Sequence, residues 1–186
     1  MNAGLDGICV TDHVFNGLVL RHDPAHPYTG YHAVRRAAKA SGLLVLPGIE
    51  FAFDEGHFLV YGLNKALLPE LGEDYTLKKC LEMVNRERGI VVQAHPFRNG
   101  GRPVHGVDGI EICNGGNSDE HNQLAQEWSR ENNIVGLSAS DAHRGWQVGR
   151  CHTIFDADCS SVEKLCQAIR QRRVQHLKHR YSRPHS

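Results

Sequence analysis

The chain has 186 residues, which is enough for one domain with a hydrophobic core and too few for two domains of ordinary size. Its 21 Lys and Arg residues equal its 21 Asp and Glu residues, so no net charge attracts it to nucleic acid or to an anionic membrane. The sequence shows neither an apolar run of roughly 20 residues, as a transmembrane helix requires, nor the pattern of a signal peptide. We therefore expect a cytoplasmic domain at residues 1–175 and a basic tail at residues 176–186.

Short β-rich runs alternate with helical patterns along the chain. The predicted strands span residues 7–11, 43–46, 57–61, 90–94, 108–113, 134–140 and 151–155. The predicted helices span residues 31–41, 76–88, 118–131 and 161–173. Thr76 and Ser118 are suitable N-caps, and Gly89 is a suitable helix stop. Several strands are nearly continuous apolar runs, which favours an α/β fold with a parallel sheet covered by helices, in a barrel or barrel-like layer.

Cysteine and histidine are the two residue types whose placement bears on function. The six cysteines form no CxxC pair, and several lie in apolar runs, so we interpret them as reduced, structural thiols. The 13 histidines are unusual, because histidine serves metal binding and proton transfer at neutral pH. Most of them lie in loops, on helices or in the tail, where an exposed or capping role is expected.

Polar residues collect where the predicted strands end. His13, His95, Asp141 and His143 follow strands, Glu50 follows the strand at 43–46, and His57 opens the next one. In parallel α/β folds this edge of the sheet carries ligands and catalytic groups. A mixed set of imidazoles and carboxylates suits Zn²⁺, Mn²⁺ or Fe²⁺ and predicts a multinuclear hydrolytic site for phosphoryl groups.

Other polar residues near these positions have two interpretations each. Arg98 and Arg144 follow the histidines directly and are candidates for binding a substrate phosphate, although a surface ion pair fits them equally well. For Asp12, a role in orienting His13 is favoured over direct metal binding or a turn.

Five segments together resemble the polymerase and histidinol phosphatase (PHP) family, in its order and spacing and over nearly the whole chain. They are Gly4-Leu5-Asp6-Gly7-Ile8-Cys9-Val10-Thr11-Asp12-His13, Pro47-Gly48-Ile49-Glu50, Ala94-His95-Pro96-Phe97-Arg98, Asp108-Gly109-Ile110-Glu111 and Ser140-Asp141-Ala142-His143. The resemblance implies a distorted seven-stranded β/α barrel that holds up to three metal ions.

The resemblance also implies a ligand set of six residues: His13, Glu50, His57, His95, Asp141 and His143. By analogy, Glu50 would bridge two metals beside His57 and His95, Asp141 would join the first metal, and His13 and His143 would hold the third. Glu50 and Asp141 would therefore be the catalytic carboxylates. Glu111 and Asn114 also match a family segment, as supporting positions.

One feature of the family is not found in this sequence. Family members begin with a strand carrying His-x-His, and the residues before Gly7 do not supply it. A start codon placed too far downstream, a shortened gene and a cloned segment that omits the strand would each explain this, and we favour the first. We therefore expect a barrel without its first strand, fewer than three metals and an open sheet edge.

The function expected from the sequence is metal-dependent hydrolysis of a phosphate ester by a metal-bound hydroxide. The substrate would be a small phosphorylated metabolite or a nucleotide, with no nucleic-acid partner beyond a short oligonucleotide. The alternative is a non-catalytic or impaired PHP-like domain with a binding or regulatory role. A metal-dependent amidohydrolase of another barrel family is a third hypothesis, but no Lys at a strand end would supply its usual carboxylated lysine.

Overall fold

The structure is a computed structural model that describes residues 4–177. Its strands, in chain order, are β1 (Gly7–Val14), β2 (Leu44–Phe53), β3 (Gly56–Tyr61), β4 (Ile90–Gln93), β5 (Gly109–Asn114), β6 (Val135–Ala139), β7 (His152–Phe155) and β8 (Val174–Leu177). Its α-helices are α1 (Gly17–His22), α2 (Thr29–Ala37), α3 (Leu68–Glu73), α4 (Leu77–Arg86), α5 (Asp119–Glu131) and α6 (Val162–Arg170). Within residues 4–177, no helix combines the length and apolar character needed to cross a membrane.

A curled six-stranded sheet with strand order β1 to β6 forms a half-barrel, and β7 pairs with β8 in a separate ribbon. The predicted α/β, barrel-like fold is confirmed. The sheet is mixed, however, and not parallel throughout: β3 runs antiparallel to both β2 and β4. The reason is local, because only Asp54 and Glu55 separate β2 from β3, and so short a link joins antiparallel strands.

Two buried apolar clusters cover the two faces of the sheet. One contains Phe51 and Phe58 and packs against α1, α3 and α4. The other contains Leu46 and Leu59 and packs against α6. Because successive strand residues point to opposite faces, Glu50 shares the face of Leu46, and His57 shares that of Leu59. The candidate ligands on β2 and β3 therefore lie on the α6 side of the sheet.

Several element boundaries differ from those predicted. β2 continues to Phe53, seven residues beyond the predicted end at Leu46, so Glu50 lies within a strand and not after it. The helices α1 and α3 were not predicted, and neither was β8. The expected boundary between domain and tail, after residue 175, falls inside β8, while residues 1–3 and 178–186 lie outside the described residues.

Candidate metal centre

Three histidines surround one oxygen of a buried carboxylate. Glu50 is 6% exposed, and its Oε1 atom lies 2.8 Å from His57 Nδ1, 3.6 Å from His13 Nδ1 and 3.7 Å from His95 Nε2. The sheet register brings these groups together, because His13 on β1 pairs directly with Glu50 on β2. His57 pairs with Ala52, two residues further along β2, and so is a diagonal neighbour of Glu50 on the same face.

The histidines hold Glu50 in its ionised form. Burial alone would raise its pKa, but the hydrogen bond from His57 and the nearby imidazoles of His95 and His13 lower the pKa to about 2. The same hydrogen bond to Glu50 raises the pKa of His57. At neutral pH, Glu50 is therefore a carboxylate whose negative charge is directed at three imidazoles.

The residues around Glu50 fit a divalent metal. His13, Glu50 and His57 each offer one ligand atom, and these atoms lie within 4.8 Å of one another. Among the described residues, His13 Nδ1 is buried without a hydrogen-bond partner. A buried nitrogen without a partner costs free energy, and coordination would remove that cost. Two imidazoles and a carboxylate form the kind of donor set that Mn²⁺, Zn²⁺ and Fe²⁺ accept.

A buried polar pair on β5 fixes the position of His95. The backbone N–H of His95 donates to Glu111 Oε2 at 2.9 Å, and Asn114 Nδ2 donates to the same oxygen at 2.8 Å. His95 has a φ of 31°, which is unusual for a residue other than glycine and has to be held by its surroundings. Glu111 is 2% exposed, and burial raises its pKa to about 7. Glu111 and Asn114 therefore hold the candidate ligand His95 in position through its backbone.

Arg98 connects this pair to Asp141. Its Nη2 atom donates to Asp141 Oδ2 at 2.8 Å and to Asn114 Oδ1 at 2.7 Å, and its Nε atom donates to Asn117 Oδ1 at 2.9 Å. The sequence suggested a phosphate contact or an ion pair for Arg98, and the structure shows the ion pair. Arg144 is exposed, and its contact with a substrate stays a prediction. Asn117 was not singled out, since its sequence context is that of an ordinary loop residue.

Asp141 and His143 extend the group outward. His143 Nδ1 lies 3.7 Å from Asp141 Oδ1, and the His143 ring lies 5.9 Å from the ring of His13. The His143 side chain is 64% exposed, whereas that of Asp141 is 14% exposed. The structure thus brings all six predicted ligands into one region. Four of them, His13, Glu50, His57 and His95, form a compact group, while Asp141 pairs with Arg98 and the exposed His143 lies between Asp141 and His13. Their role as ligands stays a prediction.

The expected role of Asp12 was wrong. Its Oδ2 atom accepts a hydrogen bond from the backbone N–H of Gly30 at 2.7 Å, near the start of α2. Asp12 and His13 are successive residues of one strand, so their side chains leave opposite faces of the sheet. A glycine suits position 30, because a Cβ atom there would come within 2.3 Å of the Asp12 carboxylate and would displace it. Asp12 therefore anchors α2 to the sheet.

Comparisons with known proteins agree with the family resemblance. The family model described as PHP-associated matches residues 119–174. Two of the solved structures with a similar fold are each 21% identical to this chain. A two-domain protein from Bacteroides vulgatus, containing a predicted PHP-like metal-dependent phosphoesterase, has a TM-score of 0.68 over 95% of this chain and 57% of its own. PsfC from Pseudomonas syringae has a TM-score of 0.67 over 94% of this chain and 78% of its own.

A third solved structure is an amidohydrolase from Chromobacterium violaceum with bound sulfate and no metal. It is 17% identical and has a TM-score of 0.57 over 92% of this chain and 87% of its own. No curated protein sequence matches this chain significantly. The resemblance to the PHP family is confirmed by the family match and the shared fold. The chain spans 57% of the length of the Bacteroides protein.

Proposed function

We propose that this chain is a metal-dependent hydrolase of phosphate esters, acting on a small phosphorylated metabolite or a nucleotide. The observation that carries the proposal is the convergence of three histidines on one oxygen of Glu50. The fold supports it, since the Bacteroides protein contains a predicted PHP-like metal-dependent phosphoesterase. The sulfate in the Chromobacterium protein adds support, because sulfate is a tetrahedral oxyanion like phosphate.

The charge of the cluster suits an anionic substrate. His13, Glu50 and His57 would hold the metal, with His95 beside them. A bound divalent metal polarises a phosphoryl oxygen and makes water more acidic. One carboxylate and two neutral imidazoles leave such a site with a net charge of about +1, which attracts a phosphate dianion. Arg98 meanwhile compensates the charge of Asp141, so that this second carboxylate repels the substrate less.

The metal itself is proposed as Mn²⁺, Zn²⁺ or Fe²⁺. The test is turnover of p-nitrophenyl phosphate by protein freed of metal with a chelator and then given each ion in turn. We expect no turnover without metal, and at least one of the ions should restore it. None of the ions should restore turnover in Glu50→Gln. Undiminished turnover in excess EDTA would refute the proposal.

One observation favours a second candidate, a binding domain without catalysis. Asp141 is engaged by Arg98 in an ion pair at 2.8 Å, so one of its oxygens is already occupied by a cationic partner. If Asp141 remains there, the centre lacks one of its two proposed catalytic carboxylates. This candidate predicts that the chain binds metal with the Glu50 group but hydrolyses neither aryl, alkyl nor nucleotide phosphates.

We also propose a cytoplasmic location. All six cysteines lie in the described part of the chain, and none of them forms a disulfide. Disulfides are rare in the reducing cytoplasm and common in secreted proteins. Labelling of thiols in cell extracts prepared without reductant should therefore find these cysteines reduced.

A further inference from the structure

The guanidinium of Arg98 is held in one position by three acceptors. Its Nη2 atom donates to Asp141 Oδ2 at 2.8 Å and to Asn114 Oδ1 at 2.7 Å, and its Nε atom donates to Asn117 Oδ1 at 2.9 Å. The Arg98 side chain is 26% exposed, so most of it is shielded from water. A cation that is bonded on several sides and shielded from water is fixed in place, and its charge acts strongly on its neighbours.

The loop after β5 fits closely around the ion pair of Arg98 and Asp141. A Cβ atom at Gly116 would come within 2.9 Å of Arg98 Nη2 and 3.3 Å of Asp141 Oδ2. The Gly116 backbone N–H donates at 2.8 Å to Asn114 Oδ1, the same oxygen that accepts from Arg98. Asp141 has a φ of 49°, which is uncommon for a residue other than glycine and has to be held by its surroundings. The backbone on both sides therefore fits the paired arrangement.

Buried hydrogen bonds connect this ion pair to the Glu50 group. Three of them in series, through Asn114 and Glu111, join the guanidinium to the backbone of His95. Asn114 is 1% exposed and Glu111 is 2% exposed, so water does not compete for these bonds. His95 Nε2 in turn lies 3.7 Å from Glu50 Oε1. A fixed positive charge is therefore built into the surroundings of the carboxylate that would hold a metal ion.

We infer that Arg98 takes the place of a second metal ion, so that the chain binds one divalent ion at the Glu50 group and none at Asp141. The inference rests on the metal binding in the proposed function. Asp141 was predicted as a metal ligand, but its Oδ2 atom already has a cation at hydrogen-bond distance. A divalent ion at Asp141 would lie within a few ångström of the guanidinium, and like charges so close repel strongly where water is scarce. Because arginine stays protonated, this positive charge is permanent.

The test is the number of Mn²⁺ ions bound per chain, determined by mass spectrometry after equilibrium dialysis at one free Mn²⁺ concentration. We expect one ion in the unmodified chain. Arg98→Gln removes the positive charge and keeps a hydrogen-bond donor, so Asp141 is freed and the number should rise to two. Arg98→Lys keeps a cation beside Asp141 and should leave the number at one. The double variant with Arg98→Gln and Asp141→Asn should return to one, because the second ion depends on the Asp141 carboxylate.

Arg173→Gln is the matched control. Arg173 pairs with Asp156 at 3.7 Å, so this variant removes the same charge and frees another aspartate, yet it should still bind one ion. Arg98→Gln that keeps the circular dichroism spectrum of the unmodified chain and binds one ion would overturn the inference. If Arg98→Gln does not fold, the unmodified chain and Arg98→Lys decide the question: one ion in each would support the inference, and two in either would overturn it.

The same count separates failure of the inference from failure of the proposed function. Two ions in the unmodified chain would mean that a metal displaces Arg98 from Asp141, which overturns the inference and leaves metal-dependent hydrolysis intact. No bound ion would overturn both. One bound ion without turnover of a phosphate ester would support the inference and favour the binding domain without catalysis.

Discussion

At the scale of single residues, the position of Glu50 organises the site. Its Oε1 atom is the common neighbour of His13, His57 and His95, which come from three different parts of the chain. Burial at 6% exposure would be costly for an isolated carboxylate, yet Glu50 stays ionised because imidazoles surround it. An ionised, buried carboxylate of this kind is suited to hold a cation.

Replacing Glu50 by Gln keeps the size of the side chain and removes its charge. Because even the hydrogen-bond partners of metal ligands contribute roughly 10- to 100-fold to affinity, we expect Mn²⁺ binding to weaken by at least about 100-fold. Asp141→Asn should also weaken binding or turnover. His121→Gln, on α5 outside the site, is the control and should change the dissociation constant by less than about twofold. Equal losses in all three variants would mean that the relevant histidines and carboxylates were misidentified.

Replacing Asp12 tests whether this side chain anchors α2 to the sheet and does not orient His13. Asp12→Ala removes the acceptor for the Gly30 N–H, so unfolding by urea should show a loss of about 1–2 kcal/mol. Metal affinity should remain as it was, because the Asp12 side chain leaves the opposite face of β1 from His13. Asp23→Ala, which removes an exposed acceptor for Ala25 N, should cost less. A loss of metal affinity in Asp12→Ala would instead support the role first expected for Asp12, which is to orient His13.

At the scale of elements, β5 supports the site from behind. Glu111 and Asn114 lie on this strand and connect the backbone of His95 to the guanidinium of Arg98. Both are buried, so their hydrogen bonds are protected from water and hold the connected groups in fixed positions. The placement of His95 and Asp141 therefore depends on a strand that contributes no candidate ligand itself.

Removal of the Asn114 side chain should weaken metal binding. Asn114→Ala takes away the bonds to Glu111 and Arg98, and we expect Mn²⁺ affinity to fall by about tenfold. Ser129→Ala is the matched control, since Ser129 is also buried and bonds to Ile134 O, away from the site. Calorimetric titration of both variants is the measurement. If Ser129→Ala weakens metal binding as much as Asn114→Ala does, the effect is general destabilisation and not positioning.

The elements also show how far the sequence predicts this fold. Apolar runs located β4 and β5 to within one residue, because buried central strands have few polar positions. The strand β3 was predicted, but its antiparallel direction was not, although the short link of Asp54 and Glu55 before Gly56 is a hairpin signal. β2 was predicted to end early because Pro47 and Gly48 usually interrupt strands. Gly48 is needed within the strand, where a Cβ atom would come within 2.7 Å of the Tyr61 ring.

The site was partly predictable, because the sequence shows which polar residues lie next to strands. His13, His95 and Asp141 are such residues, and the structure brings them into one region. The pairing of Arg98 with Asp141 joins residues 43 positions apart and depends on side-chain orientation, which strand patterns do not contain. Local sequence therefore indicates which residues lie near the site, but not which charged side chains among them form ion pairs.

At the scale of the whole molecule, the two edges of the main sheet differ. The β6 edge is covered at Ser138, whose N–H donates to Thr153 Oγ1 at 2.8 Å while the same hydroxyl donates back to Ser138 O at 2.9 Å. Within residues 4–177, β1 forms the other edge and pairs with β2 alone. An uncovered edge strand offers backbone groups to another strand and tends to self-associate.

We therefore expect the 186-residue chain to self-associate through β1. Cys9 is exposed on this strand, and Cys9→Lys should reduce association, because a lysine on an edge strand opposes pairing. Sedimentation velocity over a range of protein concentrations is the measurement. Leu124→Lys adds the same charge on α5 and should have no effect. Association that is insensitive to Cys9→Lys would place the contact elsewhere.

The most direct test of metal-dependent hydrolysis at Glu50 is turnover measured against bound Mn²⁺. Metal-free chain is loaded in steps, the metal bound per chain is determined by mass spectrometry, and turnover of p-nitrophenyl phosphate is followed in parallel. We expect turnover to rise together with occupancy, and Glu50→Gln to show neither binding nor turnover at the same free Mn²⁺. Full turnover without bound metal, or in Glu50→Gln, would contradict a metal-dependent mechanism at Glu50.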